Sequence, residues 1–365
     1  MKPLKLISIL ALCCAYHFSF AGTQRTYYIA AEEVLWDYAP SYPLNPMHGE
    51  KFADEEKLFI EADGKHLIGH KYFKARYIEY TDDTFAQVKP RPPEWEHLGI
   101  LGPVIRANVG DNIKVVFRNK TELTASIHPH GVFYKKDSEG THYNDGTSQN
   151  EKLDDLVLPG KTYTYHWEVP ERAGPGPNDP SSVIWLYHSH ADETKDTNTG
   201  LMGPILISRK GMLQANGRLK GVDREFVVLL SVIDENESLL IDKNIAAFAP
   251  DAKTKKENED FKDSNLMHSM NGYVYDNLQG LTMKVRENIR WYQIALGTEV
   301  DLHTPHWHGN TLLSDGHRID VANLLPATHI TLDMKPDNPG HWMYHCHVND
   351  HIKAGMMSHY TVLEK

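Results

Sequence analysis

The stretch WMYHCHVNDHIKAGM, Trp342–Met356, decides the architecture, because its opening returns earlier in the chain as WLYHSH at Trp185–His190. The likeness extends outward in the same order on both sides. VIRANVGDNIKVVFRN leads into SIHPHG at Ser126–Gly131 and then to Trp185–His190, while LTMKVRENIRWYQIAL leads into HTPHWHG at His303–Gly309 and then to Trp342–His347. One unit is used twice. Runs of Val, Ile, Thr and Tyr broken by Gly and Pro clusters, with few stretches of helical period, predict strands in both copies. The fold class is therefore all-β, with two sandwich domains over 22–210 and 225–365, each with its own core, and a polar, glycine-containing linker at 211–224.

Four short motifs set these copies apart from ordinary sandwich sequence. They hold ten of the 22 histidines: His128 and His130; His188 and His190; His303, His306 and His308; His345, His347 and His351. On a strand, residues i and i+2 share a face, so each His-x-His can converge on one metal or reach two metals side by side. A single pair of this kind is commonly a surface or core pair, but four pairs mirrored in two repeats point to metal. Cys346 lies between His345 and His347 and points to the opposite face. With His303, His351 and Met356 it offers two imidazoles, a thiolate and a thioether, the ligand set of a blue-copper centre. The remaining eight histidines, four from each repeat, suit a cluster of three coppers. The Cys346 backbone would wire the two sites together.

Met1–Ala21 reads as a secretory signal: Lys2 and Lys5, an apolar run over Leu6–Ala15, then Ser19-Phe20-Ala21 as a small-residue cleavage site. The apolar run is short of the roughly 20 residues needed to span a bilayer, and no other stretch is long enough. A secreted, extracellular protein of 344 of the 365 residues is expected, with room for two domains. Losing two lysines takes the formal charge from −11 to −13, which disfavours nucleic acid as a partner and favours cationic ligands. Cys13 and Cys14 leave with the signal, so Cys346 has no partner for a disulfide within the chain. A metal explains how it persists in an oxidising compartment.

At these residues the chain resembles the multicopper oxidases, most closely the ceruloplasmin and hephaestin group and its copper-poor relatives, the coagulation cofactors. TYYIAAEEVLWDYAP, SEGTHYNDGTS, GLMGPILI, MHSMNGYVYDNLQGLTM and HCHVNDHIKAGM all carry the likeness, which extends over the mature chain. The resemblance implies two cupredoxin-type Greek-key domains and about four coppers per chain. It assigns the type 1 copper to His303, Cys346, His351 and Met356, the type 2 copper to His128 and His306, and the type 3 pair to His130, His188, His190, His308, His345 and His347. The first copy departs from a complete blue site: Ala125 stands opposite His303, Ser189 opposite Cys346 and, across a two-residue insertion, Leu201 opposite Met356.

Two-domain oxidases of this superfamily resemble a homotrimer in which the first domain of one subunit meets the second of the next. Closed ring symmetry would satisfy such head-to-tail contacts, although a cluster assembled within one chain stays open. By the ferroxidase pattern, Asp263, His268 and Asp350 would hold Fe²⁺ beside the blue site, with Asp263 shorter than the usual glutamate. Glu139, Asp145, Asp154 and Asp155 resemble the calcium loop of the coagulation cofactors, and oxygen-rich spacing fits Ca²⁺. Asp145 also resembles the acid that relays protons to the cluster; an ordinary polar turn is the plain alternative. Asn119-Lys-Thr and Asn236-Glu-Ser match the glycosylation sequon.

The resulting expectation is an oxidase with O₂ as acceptor and a small reductant, Fe²⁺ ahead of others, as donor. A laccase-like oxidase of phenols or aromatic amines differs only in its donor pocket. A copper nitrite reductase would not need eight histidines for a type 3 pair. A non-catalytic, cofactor-like protein would have lost ligands, and none of the twelve positions is degraded.

Overall fold

The computed structural model describes residues 22–254, 258–298 and 301–364, so the expected signal segment lies outside the described residues. Each half builds two main sheets. In the first, Gln24–Asp37 pairs with Lys71–Tyr80 and, in parallel, with Asn112–Asn119, which continues through Thr162–Glu168 to Phe133–Tyr134. The facing sheet runs Ile105–Asn108, Met202–Ser208, Ser182–His188, His128–Pro129. The second half repeats the plan. Arg224–Asp234 pairs with Leu266–Met270 and, in parallel, with Ile289–Ala295, followed by His329–Met334. Its facing sheet runs Thr282–Lys284, Met357–Leu363, Gly340–Cys346, Pro305–Trp307. These are the sandwiches that the strand-rich composition predicts.

The repeated motif residues explain why the sheets close alike. The glycine after each His-x-His takes a left-handed φ, 75° at Gly131 and 74° at Gly309. A Cβ there would come within 2.1 Å of the Trp185 ring or 2.5 Å of the Trp342 ring. Only glycine lets the indole close over the turn. The same glycine–tryptophan contact therefore fixes both copies of the His-x-His segment against the strand that bears the next histidine pair.

Each half has its own core, around Trp167 and Tyr165 in the first and Trp291, Trp307 and Tyr344 in the second. A third core joins them, which the two-domain reading did not anticipate: Tyr38, Tyr72, Ile100 and Leu186 pack with Leu229, Ile245, Met267 and Tyr292. Within this contact the fully buried Lys74 ammonium pairs with the fully buried Glu235 carboxylate, which also accepts from the Tyr38 hydroxyl. Removing one partner would strand a buried charge, so the pair ties the halves together. Segment 211–224 is also packed rather than loose. Leu213 and Leu219 are buried, and Asn108 bonds the Leu213 backbone in both directions at 2.9 and 3.1 Å.

The two sequon asparagines sit in different surroundings. Asn119 is 0% exposed, and its amide nitrogen donates to the carbonyls of Leu123 and Val157, each at 2.7 Å. Asn236 donates to Asp234 Oδ1 at 2.7 Å and to the Lys262 carbonyl at 3.0 Å, beside a buried Ser238. Asn119 is thus committed inside the fold, whereas Asn236 is half-buried.

Candidate metal centres

His303, Cys346 and His351, expected to form the blue site, come together at one end of the second sandwich. His303 enters from an isolated bridge to Leu324, Cys346 ends the strand Gly340–Cys346, and His351 sits in the helix Asn349–Lys353. The Cys346 Sγ lies 3.9 Å from His303 Nδ1 and 3.7 Å from His351 Nδ1, and the two nitrogens are 3.1 Å apart. All three ligand atoms fall within 4.8 Å of one another. Met356, 0% exposed, donates its backbone N–H to the His351 carbonyl and accepts from the Cys346 N–H through its own carbonyl. Burial raises the thiol, but hydrogen bonds with His303 and His351 outweigh it and bring Cys346 down to about 6. A thiolate is thus favoured where a soft metal needs one. The donor set fits copper.

Asp301 was not singled out from sequence, yet it is part of this site. Its carboxylate, 1% exposed, meets His303 Nε2 at 3.1 Å and accepts the backbone N–H groups of Val232 at 2.7 Å and Thr298 at 2.9 Å. Holding Nε2–H in this way leaves Nδ1 as the ligand atom and fixes the ring.

The first histidine of each remaining His-x-His pair sits on a paired strand, and the second lies just past that strand's end. His128 faces His188 across one pair and His306 faces His345 across the other. His130 Nε2 lies 3.1 Å from His188 Nε2, and His308 Nε2 lies 3.0 Å from His345 Nε2. The other ring nitrogens are fixed by carbonyls: His128 Nδ1 by Glu139 at 2.6 Å, His188 Nδ1 by Ser189 at 3.0 Å, His345 Nδ1 by Cys346 at 2.7 Å. Burial, reinforced by neighbouring imidazoles, pushes His130 down to about 4 and lowers His188 as well. These rings are neutral near pH 7 and keep their lone pairs for metal. His306 Nδ1 is buried with no hydrogen-bond partner. Cys346 faces His303 and His351 while His345 and His347 share ring contacts with His306, so the triplet addresses two different side-chain groups. Among the described residues no ring contact or hydrogen bond joins the four histidines of one half to the four of the other.

Two further side chains reach these histidines, Glu193 from the start of the helix Glu193–Thr199 and Thr141 from an isolated bridge to His190. Glu193 meets His190 Nε2 at 3.1 Å and His188 Nε2 at 4.0 Å, and the Thr141 hydroxyl bonds His190 Nδ1 at 2.9 Å. Asp145 contacts none of these histidines among the described residues; Thr147 bonds it at 2.6 and 2.9 Å, and Lys152 and Lys136 stand at 3.1 and 3.3 Å. These contacts hold its carboxyl below the usual range.

The four acids of the calcium reading do not form a ligand group among the described residues. Like-charged carboxylates repel, and here they take ammonium partners: Glu139 binds Lys136 and Asp155 stands 3.7 Å from Lys152. Asp154 is the exception. It is 0% exposed, accepts the Gly140 N–H at 2.7 Å, leaves Oδ1 without a partner, and is pushed by burial up to about 6.

In the first half the place of the blue site is filled by hydrogen bonds. Ser189 Oγ donates to Asp196 Oδ2 at 2.6 Å and accepts the Ser126 N–H at 3.0 Å, beside buried Ala125 and Leu201. Counting the two-residue insertion, Asp196 stands where the second half has His351.

His268 lies against the blue site from outside: its ring centroid is 5.3 Å from that of His351, and Phe59 packs edge-on at 5.8 Å. The Leu266 carbonyl holds its Nδ1 at 3.0 Å. Asp263 lies in the last turn of the preceding helix Glu259–Ser264, and Asp350 in the first turn of the helix Asn349–Lys353 that bears His351. Both carboxylates are exposed and carry no hydrogen bond or ion pair among the described residues.

Family models described as multicopper oxidase match residues 98–211 and 247–365. Ceruloplasmin of Rattus norvegicus is 49% identical over 344 residues, covering 93% of this chain, and Ferroxidase HEPHL1 of Homo sapiens is 44% identical over 361 residues, covering 96%. The chain spans about a third of the length of these relatives, 32% and 31%. Among solved structures, a multicopper oxidase has a TM-score of 0.59 at 18% identity, covering 94% of this chain and 90% of that one. A blue copper oxidase from Nitrosomonas europaea has 0.57 at 19%, covering 93% and 86%. The shared fold is thus the cupredoxin arrangement of those oxidases, and with both halves matched by models of one description the chain belongs to the multicopper oxidase family.

Proposed function

We propose that this chain is a secreted ferroxidase-type oxidase that takes single electrons from Fe²⁺ and delivers them to O₂, yielding water. The observation that carries the reading is the buried His303, Cys346 and His351 set with His268 packed 5.3 Å from His351 on its outer side. When bound, copper supplies one-electron redox chemistry at the thiolate site and four-electron O₂ reduction at the histidine cluster. In this reading His303, Cys346, His351 and Met356 hold the type 1 ion, His128 and His306 the type 2 ion, and His130, His188, His190, His308, His345 and His347 the type 3 pair. Asp301 fixes His303. Cys346 links the two sites covalently through its neighbours His345 and His347. Asp263, His268 and Asp350 hold the ferrous ion. The unpartnered Asp154 Oδ1 supports a cation in the acidic loop, in competition with Lys136 and Lys152.

Steady-state O₂ consumption with Fe²⁺ and with an aromatic diamine tests the donor. Higher kcat/KM for Fe²⁺ is expected. A preference for the diamine would make the enzyme laccase-like.

The separation of the two histidine quartets supports a cluster completed between subunits of a homotrimer. Light scattering and metal analysis should give three chains per particle and about four coppers per chain. A monomer with the full copper complement would move the cluster inside one chain.

A further inference from the structure

A cavity of about 410 Å³ opens on the first half, with Tyr27, Trp95, Val104 and Leu213 among its walls. Five cations line it, Arg25, Arg76, Lys89, Arg91 and Arg106, against one acid, Glu79. Three of the five are matched. Arg25 pairs with Asp111 at 2.5 Å, Lys89 with Glu79 at 2.8 Å, and Arg106 with both oxygens of Glu225 at 2.8 and 2.7 Å.

Arg76 and Arg91 have no carboxylate partner among the described residues. Arg91 donates to the carbonyls of Gly99 at 2.9 Å and Leu101 at 2.5 Å, and Arg76 reaches the same Leu101 oxygen at 3.5 Å. One carbonyl is therefore shared by two guanidiniums. Arg76 Nε is buried without a partner, and its guanidinium lies 5.9 Å from the Trp36 ring. Burial, with the like charge of Arg76, pushes Arg91 down to about 9. Both arginines are half-buried, and cations partly withdrawn from water gain from a counter-charge because desolvation without one is costly. Two of them facing a cavity of ligand size leave a charge that an entering anion would compensate.

The chemistry of the walls narrows that anion. Guanidinium presents parallel N–H groups that match the two oxygens of a carboxylate. The aromatic and aliphatic walls suit an apolar body and offer little to a fully hydrated inorganic ion. None of the copper ligands lines the cavity. We propose that it binds an organic monocarboxylate with an apolar or aromatic body, its carboxylate held by Arg76 and Arg91.

Calorimetric titration of the copper-loaded protein with benzoate tests this, with benzyl alcohol and sulfate as companion ligands. Benzoate should bind once per chain, and both companions at least about tenfold more weakly, one lacking the charge and the other the apolar body. Arg91→Gln should weaken benzoate by about tenfold or more with the blue absorption unchanged, and Arg91→Lys, which keeps charge but not the fork, should lie between. Absence of benzoate binding up to millimolar concentration would overturn the proposal. So would equal benzoate affinity in Arg91→Gln accompanied by a shift of the copper absorption, which would place the anion on copper. Sulfate binding as tightly as benzoate would leave only a general anion patch and would also overturn it.

Discussion

Replacing Cys346 with serine is expected to abolish the blue absorption and O₂ consumption together, for Fe²⁺ and for an aromatic diamine alike, with the fold intact. The colour requires a thiolate bound to Cu(II), and the local hydrogen bonds bring this thiol to about 6, so it ionises at neutral pH. A serine hydroxyl does not ionise there. Its smaller oxygen still fits the position of a fully buried Sγ that accepts the Thr304 N–H at 3.4 Å, so far-UV circular dichroism should not change. Copper should fall by about one ion per chain and not to zero, because His345 and His347 face the other site. Retained colour in this variant would falsify the type 1 assignment. Loss of all copper would mean that the two sites do not assemble independently.

The grouping of these side chains was legible because strand geometry does the sorting. Alternation places Cys346 opposite His345 and His347, and the pairing of His306 with His345 and of His128 with His188 follows once each motif is on a strand. The glycine–tryptophan closures at Gly131 and Gly309 were written in the same repeat. What stayed hidden depends on contacts between distant segments. Asp301 acts through Val232, 69 residues away, and Glu193, at the start of a short helix, and Thr141 reach the histidines by contacts that no periodicity places. The shared core was equally invisible, since an apolar stretch such as FVVLLSV at Phe226–Val232 shows that it is buried but not which sheet covers it. The acids at 139–155 read as one oxygen-rich group because sequence shows their charge and not the lysines that answer it.

Replacing Asp263 and Asp350 together with alanine is expected to raise KM for Fe²⁺ and lower its kcat/KM by about tenfold or more, while small aromatic amines are oxidised nearly as before. Ferrous iron must come close to His303 or His351 to pass its electron; both are buried, and His268 packs against His351. The approach is therefore past His268, whose ring faces His351. Asp263 lies in the last turn of the helix before the His268 strand, and Asp350 lies one residue before His351. Their carboxylates are exposed and unpaired among the described residues, so they are available to a cation. They would act twice: by concentrating Fe²⁺ at the surface, and by favouring Fe³⁺ over Fe²⁺ through its higher charge, which lowers the donor potential and drives transfer. The concentrating effect must weaken as salt is raised, because exposed charges are screened over about 8–10 Å at ordinary ionic strength. In the double variant that salt dependence should disappear for iron. Equal losses for iron and amines would point to damaged copper sites. Unchanged iron kinetics at verified copper content would make these acids ordinary surface charges and leave the donor pocket laccase-like.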